Sequence, residues 1–209
     1  MGVGAGVRLI AGPLVPLPVT GVLLAAGAGR RMGVPKALVR DPGGTPWVEL
    51  GTRALLDGGC REVVVVLGAA ARTAQEFVPD QAEVRSVVAP HWAAGPGGSL
   101  AAGLRALDGD TVACVSLVDL PTLPVAVVRR ILGSADDPDV LRRAVFGERP
   151  GHPVLVGPAH RSALVEAVES DPTDRVAGAW LRRAGVVGVD CADLWDGADR
   201  DRASDEAPR

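Results

Sequence analysis

Short apolar runs, each closed by glycine, proline or an acidic residue, recur along the chain at a spacing that suits strands alternating with helices. The run 22–26 is apolar at every position, the pattern of a strand buried on both faces of a parallel sheet. Residues 37–40 are expected to stay extended as far as Asp41-Pro42-Gly43-Gly44, a strong turn signal. Thr45 then reads as a helix N-cap with Pro46 at the first helical position, and the helix should run to about Leu56 and stop at Gly58-Gly59. Further strands are predicted over 63–67, 84–88 and 111–118, with helices over 69–77, 99–107 and 124–132. Past the polar break at Asp136-Asp137-Pro138-Asp139 come a short strand at 144–146, a turn leading into a strand that ends at Val156, helices over 158–170 and 175–183, and a strand at 185–190. No internal repeat is present. This alternation predicts a single-domain α/β fold, a doubly wound, Rossmann-like three-layer sandwich with a mostly parallel central sheet.

In such sheets ligands sit beyond the carboxyl ends of the strands. The first strand opens there into a turn with glycines at 27, 29 and 33 and cations at Arg30, Arg31 and Lys36. Glycine lets backbone N–H groups approach a ligand closely, and successive N–H groups form an anion-binding concavity. Lys36 is the only lysine in a chain otherwise supplied with arginine. A composition bias toward arginine predicts arginine here too, whereas a site needing one compact ammonium against phosphate oxygens keeps lysine. The plain alternative is a chance survivor on a solvated loop. The spacing is neither that of a Walker loop nor the Gly-x-Gly-x-x-Gly of dinucleotide folds. The stretch Gly95–Ser99 and Asp119, at the end of the fourth predicted strand, fall on the same edge. A carboxylate ending a buried strand needs a partner; beside a triphosphate Mg²⁺ suits it, and the alternative is a turn aspartate before Pro121.

Composition narrows the partners. A formal charge of −3 and the near absence of aromatic residues argue against nucleic acid and anionic membrane surfaces. Cys60, Cys114 and Cys191 are widely spaced and form no Cys-x-x-Cys motif, which suits free thiols in the reducing cytoplasm. From Leu9 to Gly29 the chain carries no charge, a length that suggests a membrane span, but Pro13, Pro16 and Pro18 interrupt it and its second half is needed for the first strand. Residues 1–19 therefore read as a flexible extension, 20–205 as the domain and 206–209 as a disordered tail.

The full string Leu24-Ala25-Ala26-Gly27-Ala28-Gly29-Arg30-Arg31-Met32-Gly33-Val34-Pro35-Lys36 resembles the signature of nucleotidyltransferases of the molybdenum-cofactor type, relatives of the sugar-phosphate nucleotidyltransferases. Its Leu-Ala-Ala-Gly start is similar to that of the cytidylyl-transferring branch. The resemblance implies the nucleotide-diphospho-sugar transferase type of sandwich, with an NTP-binding part over about 20–135 and an acceptor side over about 136–205. It implies nucleotide contacts from Leu24, Ala25, Ala26, Gly27, Gly29, Arg30, Arg31 and Lys36, with Arg31 and Lys36 stabilising the leaving pyrophosphate. Ala94-Gly95-Pro96-Gly97-Gly98-Ser99-Leu100 is similar to a second family motif, which adds Gly97, Gly98 and Ser99 as base and ribose contacts; the alternative is an ordinary helix start. Ala89-Pro90 stands where the family often has Asn-Pro.

Leu117-Val118-Asp119-Leu120-Pro121 resembles the family's Asp-x-Pro metal motif, which implies Asp119 as a Mg²⁺ ligand. Asp199-Arg200-Asp201-Arg202-Ala203-Ser204-Asp205 keeps the Asp-x-Asp spacing of the C-terminal metal motif but has Arg-Ala for its Thr-Pro. Asp201 is favoured as the second ligand and Asp199 follows it; the alternative is a solvated tail. Gly151-His152-Pro153-Val154-Leu155 resembles the acceptor-side motif of the cytidylyl branch, which implies that Gly151, His152 and Pro153 face the acceptor; a purely structural histidine is the other reading. Asp174-Arg175 is similar to a remnant of a further motif, with Val176 in place of glycine. The implied reaction transfers CMP from CTP, in preference to GMP from GTP, onto the terminal phosphate of molybdopterin with release of pyrophosphate, and a molybdoenzyme is an implied partner. Two alternatives stay open: a sugar phosphate or other phosphorylated metabolite as acceptor, and a nucleotide-binding molybdoenzyme partner without turnover.

Overall fold

Alternate residues of the central strands enter two separate apolar clusters, which is why their sequences are apolar throughout. The computed structural model describes residues 16–200. Its strands are β1 (Val19–Ala25), β2 (Glu62–Leu67), β3 (Val84–Val88), β4 (Val112–Leu117), β5 (Leu141–Phe146), β6 (Arg149–Val156) and β7 (Val187–Asp190). Its α-helices are α1 (Trp47–Asp57), α2 (Ala71–Ala74), α3 (Pro96–Arg105), α4 (Val125–Leu132), α5 (Pro158–Ser170) and α6 (Asp174–Arg183). On one face Leu23, Val63 and Val65 meet Val48 and Leu55 of α1 and Val127 and Ile131 of α4. On the other, Val22, Val64 and Val66 meet Leu100 and Leu104 of α3, Leu164 of α5 and Leu181 of α6. The single domain is a three-layer α/β sandwich, as the alternation predicts.

The sheet has seven strands in the order β3-β2-β1-β4-β6-β5-β7. β6 runs antiparallel to both of its neighbours, and every other pairing is parallel. From β1 the chain builds outward through β2 to β3, then returns to add β4 on the other side. The reversal lies between β1 and β4, paired from Val19↔Val112 to Leu24↔Leu117, and a crevice opens beyond strand ends at such a point. α3 presses close to this place, since a Cβ on Gly103 would meet Val22 Cγ1 at 2.5 Å.

Several boundaries differ from the sequence pattern, each for a local reason. β1 begins at Val19, and the Leu17 N–H donates to the Ala135 carbonyl at 3.2 Å. The extension expected over 1–19 thus meets bonded residues at its far end, and residues 1–15 and the tail 206–209 lie outside the described residues. Lys36–Leu38 forms a 3-10 turn instead of an extended segment. Pro46 is the N-cap of α1 in place of Thr45. The Thr45 N–H is held by Asp41 Oδ1 at 2.7 Å and the Trp47 N–H by the Val39 carbonyl at 2.9 Å, so the chain stays extended one residue longer. The helix predicted over 69–77 is one α turn followed by a 3-10 turn, Gln75–Phe77. α3 starts at Pro96, three residues early, because proline is preorganised for the first helical position. β5 starts at Leu141, earlier than expected, while β7 starts at Val187 because Gly185, at φ +78°, ends the preceding turn. Among the described residues no helix is long and apolar enough to cross a membrane.

Candidate functional site

Lys36 leaves the 3-10 turn after the glycine loop, and Asp119 follows β4 by two residues. The two meet across the β1–β4 reversal, with Lys36 Nζ donating to Asp119 Oδ2 at 2.5 Å. Their side chains are only 17% and 14% exposed, so the ion pair is largely shielded from solvent. Backbone bonds hold both partners in place. The Val118 N–H continues the β1–β4 ladder to the Leu24 carbonyl at 3.1 Å, and the Met32 and Gly33 N–H groups each reach the Gly29 carbonyl at 2.9 Å. The second of these turns needs glycine: Gly29 sits at φ +58°, and a Cβ there would fall 1.8 Å from the Val34 carbonyl oxygen.

A cavity of about 500 Å³ opens beside this pair. Of the expected site residues, Leu24, Ala26, Gly27, Gly29, Arg30, Lys36, Ser99 and Asp119 line it. Arg31 lies with Gly29, Arg30, Met32 and Lys36 around a smaller adjoining hollow of about 210 Å³. Ala25 is fully buried in the core beneath. Gly97 and Gly98 do not line the large cavity. They belong to the first turn of α3, where a Cβ on Gly97 would lie 2.8 Å from Pro172 Cα and from the Val168 carbonyl oxygen, and one on Gly98 3.0 Å from the His91 carbonyl oxygen. Both glycines allow close packing at the start of α3, and Gly97 also lines the second cavity. Trp92, which sequence reasoning passed over, lines the cavity together with Ala93 to Pro96; its one signal is an indole in a chain with few aromatic rings.

The C-terminal segment returns to the site. The Arg200 N–H donates to the Asp119 main-chain carbonyl at 2.9 Å, which brings the chain at Asp199 alongside the end of β4. Asp199 itself is exposed, and Asp201 lies outside the described residues. Among the described residues no cluster of three His, Cys, Asp or Glu side chains forms. Among the described residues the shielded donor is the Asp119 carboxylate, a hard oxygen ligand of the kind Mg²⁺ takes one or two of while completing its shell with substrate phosphates and water.

A second cavity, about 290 Å³, shares Leu24, Pro96 and Leu117 with the first. Its walls are chiefly aliphatic side chains of β4, β6, α3, α5 and α6, with Arg143, His152 and Thr173 as its polar members. Burial and then the neighbouring Arg143 charge push the His152 pKa down from 6.5 to about 4, so its ring is neutral at pH 7. Burial, and next the charge on Arg182, also lower the pKa of Arg143. Arg143 donates through Nη2 to the Gly151 carbonyl at 3.3 Å, while its buried Nε has no hydrogen-bond partner. Neither Gly151 nor Pro153 lines this cavity: a Cβ on Gly151 would meet the Phe146 ring at 2.7 Å, and Pro153 is buried. Arg143 was not singled out in the sequence, where it is one basic residue on a predicted loop.

Comparison with known proteins agrees with this fold. Residues 21–187 match the model of the MobA-like NTP transferase domain. Nicotine blue oxidoreductase of Paenarthrobacter nicotinovorans is 39% identical over 200 residues, covering 88% of this chain and 92% of that protein. Rv0371c of Mycobacterium tuberculosis superposes with a TM-score of 0.74 at 23% identity, over 91% of this chain and 96% of that one. A complex of that protein with manganese gives 0.65 at 21% identity, over 85% and 89%. A nucleotidyl transferase of Methanothermobacter thermautotroptrophicus gives 0.73 at 23% identity, over 90% and 94%.

Proposed function

Because this chain belongs to the MobA-like NTP transferase domain family, we propose that it transfers CMP from CTP to the terminal phosphate of a molybdopterin-type acceptor. The observation that carries this is the Lys36–Asp119 contact at the strand reversal, beside a cavity of about 500 Å³. An acceptor phosphate oxygen forms the new bond to the α-phosphorus, the bond from that phosphorus to the bridging oxygen breaks, and pyrophosphate leaves. Backbone N–H groups at the start of the loop, residues 27–31, hold the β and γ phosphates, those of Met32 and Gly33 being taken by the Gly29 carbonyl, and Arg31 and Lys36 stabilise the charge that builds on the leaving group. Asp119, with Asp201 or Asp199, would hold Mg²⁺, and a bound ion there would supply neutralisation of phosphate charge. Positioning and electrostatics are the whole of the task, so no covalent nucleophile is needed.

Support for a fused-ring acceptor comes from the second cavity, whose apolar walls suit a flat ring and whose Arg143 and neutral His152 suit its polar edge. The enzyme then works in the reducing cytoplasm, with its three thiols free, and passes its product to a molybdoenzyme. Pyrophosphate release measured for each of the four NTPs against molybdopterin and simple sugar phosphates tests the proposal. The expected result is release with CTP and molybdopterin above every other pair. Nucleotide binding without release from any pair would favour a non-catalytic partner of a molybdoenzyme, and release with a sugar phosphate alone would move the acceptor.

The 39% identical relative favours a second reading, oxidation–reduction of nicotine blue or a similar conjugated compound in the same cavities. The absence of a Gly-x-Gly-x-x-Gly loop weighs against a dinucleotide cofactor in the first cavity. A colour change of nicotine blue with an added two-electron donor, and no pyrophosphate under any condition, would replace nucleotidyl transfer with this chemistry.

A further inference from the structure

Six aromatic side chains of Phe and Trp type occur in the chain, four tryptophans and two phenylalanines, and five of them are taken up by the fold. Trp47, the first residue of α1, is buried in the core. Phe146 and Trp195 meet edge to face at 5.4 Å, Trp180 meets His160 at 6.0 Å, and Phe77 lies beneath the Arg40 guanidinium at 4.5 Å. The sixth is Trp92. It is half-buried and packs partly against the second apolar cluster, but it also lies on a 3-10 turn after β3 and lines the large cavity. Gly68, at the end of β2, lets it come close: a Cβ there would be 2.7 Å from both Trp92 Cβ and Ala26 Cβ. The indole is therefore set against the end of β1, next to the loop that begins at Gly27.

The cavity is divided by sheet order. Asp119 and Lys36 gather at the end of β4 on one side of β1, while Trp92 follows β3 and packs at the end of β2 on the other. Around Trp92 the lining is Ala93, Ala94, Gly95 and Pro96, and the nearest polar lining side chain along the chain is Ser99. Among the described residues no carboxylate or amide side chain lines that end to read the edge of a base. What it offers is a flat π face and main-chain groups. We propose that Trp92 is the platform on which the nucleobase stacks, so that base affinity comes chiefly from contact with the ring face. This inference rests on the nucleotide reading above and goes beyond it in assigning the base to one side of β1 and to one residue.

Calorimetric titration of the full chain with Mg²⁺–CTP and with Mg²⁺–tripolyphosphate tests it, because the second probe has the phosphates and lacks the base. Trp92→Ala is expected to weaken CTP by about 5- to 100-fold, the range for losing one base–aromatic stack, and to leave tripolyphosphate unchanged. Trp92→Phe, which keeps a π face, is expected to recover most of the loss. Equal CTP affinity in wild type and Trp92→Ala overturns the platform while leaving nucleotidyl transfer in place. Parallel loss of both probes in Trp92→Ala assigns the residue to packing and also overturns it. Failure of the wild-type chain to bind any nucleotide removes the nucleotide reading and this inference together.

Discussion

A lone lysine in an arginine-rich chain carries information only if something near it needs an ammonium, and the Asp119 carboxylate 2.5 Å away supplies that need. Guanidinium would fill this shielded corner with a broad planar fork. Lys36→Ala is expected to lower pyrophosphate release by about 10²–10³, the scale for losing one preorganised charge stabiliser. Lys36→Arg should stay closer to the alanine variant than to wild type; full activity in Lys36→Arg would mean that charge alone matters there. His152 yields a prediction of the opposite kind, about stability. Its folded pKa is depressed from 6.5 to about 4 by burial first and Arg143 second. Between these values the unfolded chain binds a proton that the folded chain refuses, so stability rises with pH across that window. The contribution is complete above about pH 6.5 and is lost as pH falls through about 4. Urea midpoints of wild type and His152→Gln should therefore converge or cross as pH falls from 7 to 4.5, and a constant gap would show that the ring does not titrate in this way.

At the scale of elements, the glycines separate into those that shape the chain and those that leave room for a ligand. A Cβ on Gly29 runs into the Val34 carbonyl oxygen, whereas one on Gly27 meets nothing within 4 Å although the residue lines the cavity. Gly27→Ala is thus expected to leave the melting temperature of the free protein unchanged and to weaken Mg²⁺–CTP, because the added methyl occupies space the phosphates use. Unchanged affinity in that variant would take the triphosphate off this loop. The first loop was legible in the sequence because its glycines, its cations and the strand before it are all local. The motif at Gly95–Ser99 was only half legible. Its glycines look like those of a ligand loop, yet Gly97 is small because Pro172, more than seventy positions later, packs against it, and no local pattern carries that. Thr45 misled for a similar reason: the Trp47 N–H pairs with the Val39 carbonyl, so the chain stays extended through Pro46, which becomes the cap.

For the molecule as a whole, periodicity gave the layers, because strands buried on both faces are apolar at every position. It could not give strand order. That β6 enters antiparallel between β4 and β5, and so carries His152 to the cavity wall shared with β4, follows from tertiary pairing alone. The consequence is two cavities with a common wall at Leu24, Pro96 and Leu117, the first facing the loop after β1 and the second enclosed by α3, α5 and α6. If nucleotide and acceptor divide between them, filling the second should spare the first. Gly178 of α6 lines the second cavity, and a Cβ there would have Arg182 Nη1, at 3.7 Å, as its nearest neighbour. Leucine fits the backbone at this helical position and improves helix propensity by somewhat less than the about 0.8–1 kcal/mol that separates glycine from alanine, so folding should survive Gly178→Leu. The side chain would project into the space assigned to the acceptor ring, where even one misplaced methylene changes specificity by about 10- to 200-fold. Mg²⁺–CTP affinity should remain that of wild type while the acceptor KM in the pyrophosphate assay rises by at least about tenfold. An unchanged KM would move the acceptor out of this cavity, and a matching fall in CTP affinity would mean that the two cavities act as one.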